Sequence, residues 1–235
     1  MRTNRINSLD IFRGWAIVLM IAYHFSYDLK YFGYISVDLD NDTFWVYSRY
    51  VIITMFLVSV GMSLKLAHTP NIKWHKMKSR ILLLGGASLL VSVATYFQFP
   101  DTWVYFGILH FILFASWAGL LFLPYPLLAL TTAIIIFIGT SLGWLHMHAL
   151  FALLQEPLHL PPGYTEDIVR FFPWFGAVLI GMVIFTYHLH TKIFSNAFFR
   201  TKLLPNKTLA FLGRHTLIIY LIHQPILFGI FKIIK

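Results

Sequence analysis

Long apolar runs recur along the whole sequence, and one of them, 127–142, contains no charged residue. Hydrophobic residues make up 58% of the chain and charged residues 11%, against about 45–50% and about 25% in soluble domains. A soluble domain and a disordered chain are both excluded by this balance. A transmembrane barrel would show alternating segments of about ten residues. We therefore predict an all-α, polytopic transmembrane helical bundle.

The apolar runs divide into about seven predicted membrane spans. They lie at 9–30, 44–66, 81–98, 102–123, 126–145, 171–188 and 207–231. Because the spans take up most of the chain, we predict a single membrane-embedded domain over 1–235. The first run has no small-residue cleavage site, so we expect it to be retained as a span.

Basic residues are distributed unevenly between the predicted loops. With the N-terminus inside, the cytoplasmic side carries eleven of them and no acid: Arg2, Arg5, Lys65, Lys73, Lys76, Lys78, Arg80, Lys192, Arg200, Lys202 and Lys207. The opposite side has five, Lys30, Arg49, Arg170, Lys232 and Lys235, together with seven acidic residues. The positive-inside rule then predicts an N-inside, C-outside, multi-pass protein of a bacterial inner membrane. The net charge of +9 follows from this bias, and we expect no nucleic-acid partner.

The first predicted span carries four ionisable residues: Asp10, Arg13, His24 and Asp28. At about 100° per residue, Arg13 and His24 differ by a net angle of about 20° and lie about 16 Å apart along the axis. Asp10 is one turn from Arg13, and Asp28 is one turn from His24, so each pair can interact on that face. Ionisable groups are costly inside a bilayer, which makes this stripe a candidate functional site.

The chemistry that suits the stripe is acyl transfer across the membrane. A neutral His24 can accept a proton from an attacking amine or hydroxyl and Asp28 can orient it, so both are predicted to be catalytic. Near the cytoplasmic end, Arg13 can bind the phosphates of a coenzyme, and Asp10 and Arg214 are assigned to the same donor side. The structural alternative is an ion pair between Asp10 and Arg13, with a hydrogen-bonded core histidine.

Histidines of other spans are predicted at a similar depth. Counted along the helices, His110 and His223 fall in nearly the same layer as the first-span histidine, which suggests a shared cavity in the outer leaflet. The candidate acceptor-binding residues are His110, Asp167, Trp174, His223 and Gln224. Alternatively, each histidine makes a helix–helix contact, and Trp174 belongs to the aromatic belt at the interface.

Two histidine pairs have the spacing of metal ligands, but no metal site is predicted. His146 and His148, like His188 and His190, would point about 200° apart on a helix, and neither pair has a third ligand in view. The basic segment 65–80 is expected to meet anionic lipid headgroups. A role in binding coenzyme phosphates is the alternative for this segment.

Four segments together resemble one known family. They are 5–14 (RINSLDIFRG), 107–110 (GILH), 167–176 (DIVRFFPWFG) with Gly181, and 212–225 (LGRHTLIIYLIHQP). In these segments the chain is similar to the catalytic-domain family of heparan-α-glucosaminide N-acetyltransferase, within the wider transmembrane acyltransferases. The spacing of Arg13 and His24 also resembles the first-span signature of membrane enzymes that O-acylate sugars. Two features depart from the family: segment 31–41 has no histidine where the lysosomal enzyme has its proposed catalytic one, and Arg170 stands where relatives tend to have proline.

The resemblance implies acetyl-CoA as a donor substrate on the cytoplasmic face and a sugar acceptor on the far face. We therefore expect transfer of an acetyl or short acyl group to a glycan amine or hydroxyl, with no permanently bound cofactor. Association into a homodimer is left open. Two rival functions also stay open: a transporter or channel that uses the buried His, Asp and Arg groups, and an inactive family member that acts as a structural partner.

Overall fold

The computed structural model describes residues 6–161, 165–199 and 204–234. Over these residues the chain forms α-helices, one short 3-10 helix and no strand, which confirms the all-helical prediction. The α-helices are α1 (Asn7–Tyr31), α2 (Thr43–His68), α3 (Trp74–Gln98), α4 (Ile108–Leu120), α5 (Pro126–Ser141), α6 (His148–Gln155), α7 (Phe171–Thr186), α8 (Leu189–Ile193), α9 (Leu204–Arg214) and α10 (Thr216–Ile234). Five residues used to predict the orientation lie outside the described residues: Arg2, Arg5, Arg200, Lys202 and Lys235.

In the ranges that the structure describes, four helices, α1, α2, α3 and α10, are long and apolar enough to cross a membrane. Three shorter apolar helices, α4, α5 and α7, stand at the other predicted spans. α3 exposes a row of large apolar side chains that water would not tolerate but lipid would, among them Leu82, Leu89 and Phe97. The structure thus supports an integral membrane protein, while the number of spans and the N-inside orientation stay predictions.

The last predicted span, 207–231, is two helices and not one. α9 ends at Arg214 and α10 begins at Thr216. Gly213 weakens the helix at this point because it has the most backbone freedom to lose, and the Thr216 hydroxyl donates to its carbonyl at 2.8 Å. The sequence-based depths of Arg214 and His223 in the membrane assumed one continuous helix, and they therefore lose their basis.

The first of two compact units holds the described residues up to Ser59 and from His188 onward. In this unit α1 packs directly on α9, because glycines stand where the two helices cross. A Cβ at Gly14 would collide with the carbonyl oxygen of Leu209, and one at Gly213 with the carbonyl oxygen of Asp10. Beyond this crossing, Ile17 and its neighbours on α1 pack against the start of α10.

The second unit, Val60–Tyr187, contains the end of α2 and helices α3 to α7. Gly61 of α2 lies against the carbonyl oxygen of Val178 on α7, so a side chain at Gly61 would not fit. The segments before α4 and α7 run in parallel and are joined at a bridge between Phe106 and Ile168. This bridge connects the beginnings of two helices that are distant in sequence.

Candidate functional site

A buried carboxylate on α1 is bound by a side chain of α10. Gln224 Nε2 donates a hydrogen bond of 2.7 Å to Asp28 Oδ1, and Asp28 has a relative exposure of 0%. The two residues are 196 positions apart. A hydrogen bond to a charged acceptor is stronger than one between neutral groups, so this bond holds α10 on the second half of α1.

Three buried polar atoms in this region have no hydrogen-bond partner within the described part of the chain. They are Asp28 Oδ2, Gln224 Oε1 and His223 Nε2. Leaving a buried polar group unpaired costs about 1–3 kcal/mol, and native structures contain few such groups. A cluster of three is expected where a ligand completes the hydrogen bonds. We call His24, Asp28, His223 and Gln224 the polar cluster.

The protonation of His223 follows from its neighbour in α10. Its Nδ1 lies 2.6 Å from the carbonyl oxygen of Tyr220. A carbonyl can only accept, so the hydrogen of the neutral ring is on Nδ1 and the lone pair is on Nε2. With Asp28 ionised, all three unpartnered atoms of the polar cluster are hydrogen-bond acceptors, and the ligand that completes them brings N–H or O–H donors.

Within the polar cluster, His24 has a ring contact with His223. The ring centroids of His24 and His223 are 4.9 Å apart at 68°, and Tyr23 lies edge-on to His24. Over the described residues, Asp28 is bonded to Gln224, and no hydrogen bond joins it to His24. The predicted orienting role of Asp28 toward His24 therefore stays a prediction without a contact behind it.

Two consecutive residues of α10, His223 and Gln224, belong to the polar cluster. His223 and Gln224 are consecutive, so they project about 100° apart. Pro225 follows and has no N–H, which leaves the carbonyl of Leu221 without its usual donor four residues on. The sequence His-Gln-Pro reveals this missing backbone hydrogen bond. It does not reveal the partner of Gln224, because Asp28 lies near the other end of the sequence.

A second polar group lies near the start of α1. Arg13 Nη1 and Asp10 Oδ1 form an ion pair at 3.1 Å, with Asp10 buried and Arg13 partly exposed. Gly213 on α9 contacts the backbone of Asp10, and the exposed Arg214 follows it directly. Since α1 is continuous, about 16 Å of helix rise separates Arg13 from His24.

The remaining predicted residues belong to the second unit. The Ser92 hydroxyl donates its one hydrogen to the Val104 carbonyl at 2.6 Å. In the contact of 3.2 Å between Ser92 Oγ and His110 Nε2, the serine oxygen must therefore accept and His110 Nε2 donates. Asp167 Oδ2 accepts a hydrogen bond from the first N–H of α4, that of Ile108, at 3.0 Å. Trp174 is half-buried in the first turn of α7.

These contacts give His110 and Asp167 structural partners that the sequence alone did not reveal. Their predicted part in binding an acceptor stays a prediction. A proton on His110 Nε2 also leaves that nitrogen unable to accept another one.

No group of three or more His, Asp or Glu side chains that could hold a metal ion occurs in the ranges that the structure describes. The spacing argument assumed that His188 lies in a helix. In the structure His188 has a φ of 55° and precedes α8. Its ring centroid lies 5.9 Å from that of His190. The side chain of His148 lies outside the described residues.

The fold and the polar cluster define an integral membrane protein that holds a buried set of hydrogen-bonding and titratable groups between two helices. Residues 5–225 match the family model described as heparan-alpha-glucosaminide N-acetyltransferase, catalytic. The chain therefore belongs to the heparan-α-glucosaminide N-acetyltransferase catalytic-domain family, which confirms the resemblance seen in the sequence. This family is one of membrane acetyltransferases. No curated protein and no solved structure matches the chain.

Proposed function

We propose that this protein transfers an acetyl or other short acyl group from cytoplasmic acyl-CoA to an amine or hydroxyl of a sugar on the extracytoplasmic side. The observation that carries the proposal is the set of three buried acceptors, Asp28 Oδ2, Gln224 Oε1 and His223 Nε2. A sugar amine or hydroxyl brings the N–H and O–H donors that these atoms lack. Family membership supplies the reaction class.

The transfer step needs a base that accepts one proton. The amine or hydroxyl of the acceptor attacks the thioester carbonyl, a C–N or C–O bond forms and the C–S bond breaks. The proton of the acceptor passes to an imidazole nitrogen, and the coenzyme leaves as a thiolate that is then protonated. The polar cluster offers two imidazoles for this role, His24 and His223. Direct transfer needs only proton access, whereas an acyl-histidine needs the ring to reach the thioester, so direct transfer is preferred.

The donor side is assigned to Arg13, with Asp10 and Arg214 near it. A guanidinium binds phosphate oxygens through paired N–H donors. Asp10 holds the Arg13 side chain in place through their ion pair. Sidedness follows from the predicted N-inside orientation, in which the start of α1 is cytoplasmic.

The function is tested with purified protein in proteoliposomes, radiolabelled acetyl-CoA and a panel of amino sugars and neutral sugars. We expect labelled product that depends on both substrates. Asp28→Asn keeps the acceptor for Gln224 but replaces Oδ2 by a donor, so the rate should fall about tenfold to hundredfold. Asp101→Asn, at an exposed turn, is the matched control and should behave as wild type. Absence of product with every sugar would reject the proposal, and solute flux without an acyl donor would favour a transporter.

The donor site is tested with two thioesters, acetyl-CoA and the truncated acetyl-N-acetylcysteamine, which lacks the phosphates. Arg13→Gln should raise the KM for acetyl-CoA about tenfold or more, the size of one lost charged hydrogen bond. It should leave the truncated donor unaffected. Lys232→Gln, at an exposed residue in the last turn of α10, should change neither value. An equal effect of Arg13→Gln on both donors would show that Arg13 does not bind the phosphates.

A further inference from the structure

The polar cluster contains two histidines, and their surroundings differ. His223 is held by a hydrogen bond from Nδ1 to the Tyr220 carbonyl. The described contacts of His24 are ring contacts with Tyr23 and His223. Only His223 therefore has a fixed tautomer, and that tautomer leaves the Nε2 lone pair free to accept a proton.

The free nitrogen of His223 is also buried. The residue has a relative exposure of 7%, and Nε2 is among the unpartnered atoms of the polar cluster. Its lone pair is therefore available to a ligand that enters the polar cluster. A base needs this arrangement of one nitrogen anchored as a donor and the other unoccupied.

Titratable side chains of both α1 and α10 lie near His223. On α1 the titratable side chains of the polar cluster are His24, in ring contact with His223, and Asp28, which is bonded to Gln224. On α10 the neighbour is Tyr220, whose ring centroid lies 5.7 Å from that of His223. When ionised, Asp28 of the same cluster attracts the imidazolium that forms during transfer.

We propose that His223 Nε2, and not His24, accepts the proton of the acceptor, while Asp28 Oδ2 and Gln224 Oε1 accept hydrogen bonds from its other N–H or O–H groups. The proposal rests on the proposed transferase function. As the acceptor nitrogen or oxygen bonds to the acyl carbon, its proton moves to Nε2 and His223 becomes an imidazolium. The Tyr220 carbonyl stabilises that cation through the Nδ1 hydrogen bond. The proton then leaves with the coenzyme thiol.

The test compares three variants: His223→Gln, His24→Gln and, as the control, His215→Gln. His215 is a matched control because its Nδ1 also lies 2.9 Å from a backbone carbonyl, that of Phe211, outside the polar cluster. We expect His223→Gln to lower kcat about 10²- to 10⁴-fold, the usual contribution of a general base, with the KM for acyl-CoA within threefold of wild type. His24→Gln should lose less than tenfold in kcat, and His215→Gln should match wild type.

A second variant removes the risk that His223→Gln misfolds. 2-Fluorohistidine incorporated at position 223 keeps the shape of the ring and the Nδ1–H but makes Nε2 much less basic. We expect the same loss of kcat. In the kcat/KM profile we expect an acidic limb for wild type and its loss in the fluorinated protein. A kcat within threefold of wild type for the fluorinated protein, or a larger loss for His24→Gln than for His223→Gln, overturns the proposal. Failure of the transferase function is distinct, because wild type itself would then give no product.

Discussion

The glycine contact between α1 and α9 predicts different effects on stability for two glycine-to-alanine substitutions in the same unit. In Gly14→Ala the added Cβ would lie 2.6 Å from the carbonyl carbon of Leu209 and 2.9 Å from its Cα, with the carbonyl oxygen closer still. Carbon atoms in contact are about 3.5–4.0 Å apart, so the two helices must separate by about 1 Å. Overpacking of this kind costs about 1–3 kcal/mol, offset by up to about 1 kcal/mol of helix propensity.

We therefore expect Gly14→Ala to lower the free energy of unfolding by about 1–2 kcal/mol. Gly229→Ala on α10 is the control, because a Cβ there meets no atom within 4 Å, so it should be neutral or stabilising by up to about 1 kcal/mol. The assay is unfolding by titration with sodium dodecyl sulfate in mild detergent, followed by the fluorescence of the seven tryptophans. Equal midpoints for the two variants would show that α1 and α9 do not cross at Gly14.

Three further predictions concern single interactions. In a double-mutant cycle, Asp28→Ala and Gln224→Ala should show a coupling energy of about 1–3 kcal/mol in the same unfolding assay, and additive effects would mean that the bond is absent. Asp167→Ala should cost about 0.5–2 kcal/mol because it removes the cap of α4, whereas Asp167→Asn should retain most of the stability. Hydrogen bonds from Asn41 and from backbone amides hold the pKa of Asp38 below its usual value, so Asn41→Ala should raise that pKa, measured by NMR titration. Because the pKa is depressed in the fold, these bonds stabilise the loop above the ordinary carboxyl pKa, and that stability is lost as the pH falls through the folded value.

The first helix shows how much the sequence can predict. Charged residues in an apolar run are rare enough to identify Asp10, Arg13 and Asp28 as unusual, and a helical period places them relative to one another. The ion pair between Asp10 and Arg13 is local, three residues apart, and the structure contains it. Local spacing was sufficient there because both partners lie on one helix.

The other contacts of the site are made between helices that are distant in sequence, so they depend on which helices pack together. The partner of Asp28 is 196 residues away, and spacing on α1 favoured His24 as its neighbour. The break at His215 was also missed, since hydropathy treats α9 and α10 as one apolar run, while the crossing at Gly213 depends on contact with α1. Periodicity within one segment contains no information on contacts of this kind.

The two halves of α1 are stabilised in different ways, and this difference separates a functional His223 from a structural one. The first half is packed on α9 with its ion pair satisfied, whereas the second half faces α10 across acceptors that lack donors. His223→Phe keeps a planar ring and removes one unpartnered buried nitrogen, but it also loses the Nδ1 hydrogen bond to the Tyr220 carbonyl. It should therefore raise the free energy of unfolding by up to about 2 kcal/mol while transfer is lost. A histidine that served only to pack α10 on α1 would show the reverse, with activity retained and stability unchanged or lower. Unfolding midpoints and kcat measured on the same preparation decide between the two.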